Sequence, residues 1–458
     1  MLRRKMYGML NDWRQAGARK VFILLGARQT GKTFIVRDFA ERNYEAFLEI
    51  NFLEDEESGS FLAAAENADD LMSRLSLIAD VPLQSGMLIF FDEVQHIGHD
   101  IVTLSKFLVE DGRFDLVLSG SLLGTALEGV TSFPVGSARI ERMYPLDFEE
   151  FCWALGVPDS ILKTVQQCYE RKMPVEETLH DRLVKLFRQY IVVGGMPEAV
   201  QSFLDHEREL GEARKVDSDI IEQYRYDIVK YAKKRQAKIL AIFDNVPAQL
   251  AKENKRFVLK SMGKGSMYDN LEDDFSWLMK AGVVLPANLV TEPKRPLLRT
   301  EIANKFKLYS SDCGLLLAQF PPASAKDIVA GEGDGNYGAV YENVVAQQLA
   351  SAGFPLFYYN NNRKGEVDFL LETAEGKVLP IEVKSGKDYK LHSALNNMLR
   401  TAEYDIETAY VLSEYNVSVE EREGKSVYYL PLYMTMFFVQ ERDDDMASII
   451  LEDISFEG

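Results

Sequence analysis

The stretch "LLGARQTGKT", residues 24–33, decides how the first third of the chain is read. It follows the apolar run "VFILL" (21–25) and opens the helix-like segment "KTFIVRDFA", so a strand and a helix flank a glycine turn. The spacing Gly26-x-x-x-x-Gly31-Lys32-Thr33 is that of a phosphate-binding loop. In such a loop the glycines let backbone N–H groups curl around phosphate oxygens, the lysine ammonium meets the β- and γ-oxygens, and the threonine hydroxyl ligates Mg²⁺. Gly26, Ala27, Arg28, Gln29, Thr30, Gly31, Lys32, Thr33 and Phe34 are therefore the candidate nucleotide contacts.

Downstream, "AFLEINF" (46–52), "MLIFF" (87–91) and "FDLVLS" (114–119) are short apolar runs separated by polar helical stretches, which predicts a parallel α/β sheet. "MLIFFDEVQ" ends a strand on Asp92, where a carboxylate supports Mg²⁺, and puts Glu93 beside it to activate water. The second acid favours hydrolysis over transfer to a small acceptor. Ser119 and Ser121, at the end of "FDLVLSGS", are candidate sensors of the γ-phosphate.

Bulk properties limit the rest. The 458 residues exceed one ordinary core, and 47% hydrophobic with 27% charged residues is a globular composition. No run approaches the roughly 18 apolar residues of a membrane span, and the N-terminus carries charge where a signal peptide needs an apolar core, so a cytoplasmic protein is expected. Cys152, Cys168 and Cys313 are far apart, which indicates neither a disulfide framework nor a zinc site. The net charge of −19 disfavours a nucleic-acid-binding surface overall, yet residues 225–264 carry eleven basic and three acidic residues, +8 against −27 elsewhere. That segment is the candidate DNA contact, with a solvated helix face as the plainer reading.

Residues 150–280 turn helical. "DNLEDDFSWLMKAGVVLPANLV" reads as helix, turn at Gly282 and strand, with "KFKLYSSD" as a returning strand, an arrangement like a winged helix. The Gly-rich "AGEGDGNYG" (330–338) reads as a linker. A helix (339–351) and the strands "PLFYYN", "EVDFLLE", "VLPIEVK", "AYVLS" and "VYYLPLY" then predict a second α/β domain. In it Asp368, followed by Glu382 and Lys384 two residues apart on one strand face, with a helix-borne Glu342, has the makings of a divalent-cation site, Lys384 serving as the catalytic lysine. A nuclease-like scaffold without catalysis is the alternative.

The strings "GARQTGKT", "FFDEVQ", "LSGSLLG", "YPLDFEEF", "YIVVGGMPEAV", "DIVKY", "VPAQLAKEN", "KLYSSDCGLL", "YENVVAQQL", "EVDFLL" and "PIEVKSG" occur in that order. As a set they resemble bacterial and archaeal ATP-binding proteins with an AAA-type ATPase domain followed by a DUF4143 domain. The resemblance implies an AAA-type P-loop NTPase sheet, then a helical and winged-helix region, then a restriction-endonuclease-like module of the PD-(D/E)xK type. Expected segments are an ATPase domain (1–152), a helical lid (153–215), a winged-helix-like region (216–328), a linker (329–338), a nuclease-like domain (339–440) and an acidic tail (441–458). Family members place an arginine after the glycine that precedes "YPL"; Ser137 stands there in this chain, which leaves Arg139 as the candidate arginine finger and an oligomer as its corollary. ATP and Mg²⁺ are the implied cofactors. The expected output is DNA binding or processing through the nuclease-like domain; the alternative is a nucleotide-controlled switch that binds a protein partner through a catalytically inactive one.

Overall fold

The computed structural model describes residues 2–17, 20–98, 100–121, 138–252, 272–332 and 337–440. The N-terminal unit comprises α1 (Lys5–Gln15), β1 (Val21–Gly26), α2 (Lys32–Asn43), β2 (Phe47–Asn51), α3 (Glu56–Ala63), α4 (Ala68–Ile78), β3 (Leu88–Asp92), α5 (Asp100–Asp111), β4 (Asp115–Ser121) and β5 (Ala138–Arg142). All five strands run parallel, in the order β2-β3-β4-β1-β5. Alternate side chains of β1 enter opposite cores: Val21 and Ile23 pack with one helical layer, Phe22 and Leu24 with the other. Burial on both faces is why these strands read as unbroken apolar runs.

The chain then runs through α6 (Phe148–Ala154), α7 (Asp159–Arg171), α8 (Glu177–Val193), α9 (Pro197–Asp205), α10 (Leu210–Tyr231), α11 (Gln236–Leu250) and α12 (Glu272–Lys280). A hairpin, β6 (Val284–Val290) and β7 (Glu301–Ser310), leads to α13 (Cys313–Ala318), α14 (Pro322–Ala330) and α15 (Gly338–Ser351). The last stretch holds β8 (Phe357–Asn361), β9 (Gly365–Glu372), β10 (Val378–Val383), α16 (Ser393–Arg400), β11 (Thr408–Ser413), β12 (Ser418–Arg422) and β13 (Lys425–Pro431).

The expected strands form, but the winged-helix grouping does not hold as a unit. β6 pairs antiparallel with β7 and parallel with β8, so the hairpin extends one eight-stranded sheet, β12-β13-β11-β10-β9-β8-β6-β7. The expected break at 329–338 therefore does not separate two sheets. One hydrophobic core runs from Leu146 to Phe438 and takes in the helices, the hairpin and the C-terminal strands. The acidic tail and Lys255, Arg256, Lys260 and Lys264 lie outside the described residues.

A buried polar node fixes this unit to the exit of the N-terminal sheet. Asp312, which caps α13, accepts hydrogen bonds from Gly195 N at 2.6 Å, Leu315 N at 3.0 Å and Gln347 Nε2 at 3.0 Å. Leu146 N donates to Gly195 O at 2.7 Å, and Tyr190 Oη donates to Leu146 O at 2.7 Å. Gln347 and Gln348 of α15 each donate to Tyr190 Oη at 3.0 Å. The fit depends on glycine: a Cβ at Gly195 would lie 2.1 Å from Leu146 O, and one at Gly314 2.7 Å from Gly194 N. Both clashes are with backbone, which cannot swing aside as a side chain would. Gly195→Ala is expected to cost at least about 3 kcal/mol, the upper end for overpacking, measured by urea unfolding against the parent chain.

Candidate nucleotide site

The loop occupies the carboxyl edge of the sheet because β1 ends at Gly26 and α2 begins at Lys32. A Cβ on Gly26 would sit 2.4 Å from Met143 O, so the first glycine is required by the neighbouring strand exit. Gly31 caps α2 with φ of 89°, in the left-handed region that glycine enters without strain. Lys32 is buried, and its ammonium donates to Gly26 O at 3.1 Å and Ala27 O at 2.8 Å. Burial pulls its pKa down to about 8 against the opposing pull of Glu93 and Asp92. The loop thus holds a desolvated cation on its own carbonyls, which phosphate oxygens satisfy better.

Thr33 Oγ1 donates to Asp92 Oδ2 at 2.7 Å, which brings the two expected Mg²⁺ ligands together across a sequence gap of 59 residues. Burial raises the Asp92 pKa, while the bond from Thr33 opposes that rise. A hydroxyl and a carboxylate at this distance are the donor set that Mg²⁺ uses beside substrate phosphates, so the residues fit the ion. Phe34 is 61% exposed on the first turn of α2.

Glu93 adopts φ 52°, ψ 43°, a conformation unusual for a non-glycine residue. Its N–H donates to Asp92 Oδ1 at 2.9 Å. Gln95 Nε2 donates to Glu93 Oε2 and, at 3.1 Å, to Ser121 Oγ; Ser121 Oγ in turn reaches Glu93 Oε2 at 3.4 Å. Ser121 accordingly positions Glu93. Ser119 Oγ lies close enough to Asp92 to favour its charged form but, fully buried, makes no hydrogen bond.

Arg139 does not join this site within the chain. It pairs in register with Phe22, at the start of β1, about 13 Å of strand from the Gly26 end, and is bound to Glu141 at 3.0 Å.

Several contacts to the loop come from elements that motif reading left unassigned. Arg28 Nη1 donates to Asp227 Oδ1 of α10 at 2.6 Å and Nη2 to Tyr231 Oη at 3.2 Å. Tyr224 Oη donates to Arg28 O at 3.0 Å, and Gln29 bonds to Gln223. Arg4 Nη1 donates to Thr30 O at 3.1 Å. Gly282, at φ 72°, brings the turn before β6 against Ala27, where a Cβ would be 3.3 Å from Ala27 N. Asp227 and Tyr231 are the ends of the string "DIVKY", which was the available signal.

The C-terminal candidates come together only in part. Lys384 Nζ donates to Glu382 Oε1 at 2.8 Å, and Asp368 Oδ2 accepts from Val383 N at 2.9 Å. Burial, then Asp368, pushes the Glu382 pKa up to about 7. Between Glu342 and Asp368, however, sits Lys307, whose ammonium is 3.5 Å from Glu342 Oε2 and 3.9 Å from Asp368 Oδ1. Lys307 thus stands between carboxylates that were expected to share a divalent metal, and among the described residues no group of three His, Cys, Asp or Glu side chains is gathered as a metal site. Lys384 also borders a cleft of about 1340 Å³, lined by His180, Lys185, Arg188, Lys387 and Glu414 among others.

The basic segment is partly committed internally. Arg225 pairs with Glu222 and Asp244, and Arg235 with Asp273 and Asp274. No described helix is long and apolar enough to cross a membrane.

A family model described as an AAA domain matches residues 18–152, one for a domain of unknown function (DUF8612) matches 184–324, and a second domain of unknown function, DUF4143, matches 337–433. Among solved structures the chain is similar to a Walker-type ATPase of Pyrococcus abyssi, at 14% identity over 70% of this chain and 96% of that one, with a TM-score of 0.42. It is also similar to PCH-2 of C. elegans, at 12% identity over 38% of this chain and 47% of that one, with a TM-score of 0.22. Curated proteins give no match. Lys32→Ala is expected to abolish ATP binding in equilibrium titration. Glu93→Gln should leave binding intact while slowing phosphate release by roughly 10²- to 10⁴-fold, and unchanged turnover would remove Glu93 from the chemistry.

Proposed function

We propose, from the AAA-domain match over residues 18–152 and the DUF4143 match over 337–433, that the chain hydrolyses ATP with Mg²⁺ and acts as a nucleotide-controlled switch. In this reading Lys32 meets the β- and γ-phosphates, Thr33 and Asp92 hold Mg²⁺, and Glu93, steadied by Gln95 and Ser121, orients and deprotonates water. Bound Mg²⁺ supplies charge neutralisation on the phosphates. Ser119 or Ser121, buried at the end of β4, senses the γ-phosphate.

The observation that carries the switch is the grip of α10 on the loop. The ion pair Arg28–Asp227, the bond from Tyr224 to the Arg28 carbonyl and the Gln29–Gln223 bond tie three backbone-adjacent points of the loop to one helix. A loop that rearranges to bind phosphate must move these contacts, and α10 shares the core of the C-terminal unit through Ile220, Ile221 and Ile228. Nucleotide occupancy therefore biases the pose of that unit, as γ-phosphate contacts do in other P-loop switches. The output is binding of a protein partner through a nuclease-like domain that does not cut. Internal pairing of Arg225 and Arg235 supports this over a DNA-directed output.

Hydrogen exchange tests the relay. In the parent chain ATP is expected to change protection in α10 and α13 as well as in the loop; Asp227→Ala should bind ATP yet lose the distant change. Identical exchange beyond residue 210 with and without ATP would sink the switch. An ATPase rate raised by duplex DNA, with a steep fall as salt increases, would instead restore the DNA-directed reading.

A further inference from the structure

On the proposed reading of the C-terminal domain as nuclease-like, from which this inference starts, its acidic centre calls for a divalent metal, and the chain fills that centre itself. Lys307 comes from β7, the hairpin strand that extends the C-terminal sheet, and its side chain is 0% exposed. The ammonium lies 2.7 Å from Glu366 Oε1, 3.5 Å from Glu342 Oε2 and 3.9 Å from Asp368 Oδ1. The Tyr358 ring covers it, with the centroid 4.9 Å away, and Tyr309 Oη donates to the same Glu342 oxygen at 3.1 Å. We propose that the Lys307 ammonium is the resident cation of this centre, standing where a nuclease-like site holds its metal, so that the C-terminal domain is a metal-independent scaffold.

Three physical arguments carry this. A divalent cation needs its oxygens at about 2.0–2.6 Å and draws them inward, whereas these carboxylates are spread around an ammonium at hydrogen-bond and ion-pair distances. A second cation brought within about 4 Å of a buried ammonium meets repulsion that water does not screen. Two further oxygens are engaged elsewhere: Asp368 Oδ2 by the Val383 N–H, Glu382 Oε1 by Lys384. Glu382 Oε2 has no hydrogen-bond partner, but one oxygen falls short of a ligand set. Burial would by itself depress the Lys307 pKa; Tyr309, Glu366 and Asp368 outweigh it and keep the lysine charged. Because β7 precedes the linker in sequence, the lysine also pins the hairpin to β9, which is a reason for the sheet to continue across 329–338.

Mn²⁺ binding to the full chain, measured without nucleotide so that the ATP site is not completed, tests the proposal. The parent chain and Asp368→Asn are expected to bind Mn²⁺ equally weakly, with no melting shift at about 1 mM Mn²⁺ in either. Lys307→Met, which leaves the carboxylates without their cation, should bind Mn²⁺ at least tenfold more tightly and melt higher when it is added. That gain should vanish in Lys307→Met/Asp368→Asn. Saturable Mn²⁺ binding by the parent chain that Asp368→Asn removes would overturn the proposal, as would a folded Lys307→Met chain indifferent to Mn²⁺. If Lys307→Met does not fold, the parent and Asp368→Asn pair still decides, and Lys307→Arg should fold and ignore Mn²⁺.

Discussion

The carboxylate of Asp312 is the point on which the rest of the molecule depends. Fully buried, it ties the Gly194–Gly195 turn, the start of α13 and Gln347 of α15, and through Gly195 it reaches the backbone of Leu146 as the chain leaves the ATPase sheet. A buried anion is tolerated only when several donors converge on it, and here each donor comes from a different segment. The N-terminal sheet is consequently fastened to the C-terminal unit by directional bonds as well as by apolar contact. A relay from the phosphate loop needs such a joint, because a unit held only by slippery packing could absorb a loop movement without passing it on.

Two lysines show how burial sets function at the two ends of the chain. Lys32 is buried on loop carbonyls with its pKa drawn down, a cation waiting for an anionic ligand. Lys307 is buried among carboxylates that hold it charged, a cation already matched. The same side chain rests on carbonyls in the first setting and on carboxylates in the second. The difference lies in whether the surrounding oxygens are backbone dipoles or full charges.

The ATP site was legible because its chemistry is local. Gly26, Gly31, Lys32 and Thr33 act within one turn, and Asp92 and Glu93 end a strand whose apolar run marks it, so the Thr33–Asp92 contact follows once the sheet is parallel. The C-terminal group was legible only in part, for the opposite reason. Asp368, Glu382 and Lys384 do lie near one another, but Lys307, whose ammonium lies 3.9 Å from Asp368 Oδ1, arrives from a strand that reads as part of another unit. Arg139 lies close to "YPL" in sequence, and parallel register with β1 places it beside Phe22, away from the loop of its own chain.

The sequence by itself marked the phosphate loop, the strand-end Asp92, the order of strands and helices and the AAA and DUF4143 domains that the family models match, since each rests on spacing within a short segment or on a set of ordered strings. Only the tertiary structure decided which long-range partners those strings serve: "DIVKY" grips Arg28, "YENVVAQQL" and "KLYSSDCGLL" meet at Asp312, and Lys307 enters the acidic centre. Hydrogen bonds and ion pairs between residues scores to hundreds of positions apart leave no period in the sequence. Their partners are fixed by how the sheets and helices close.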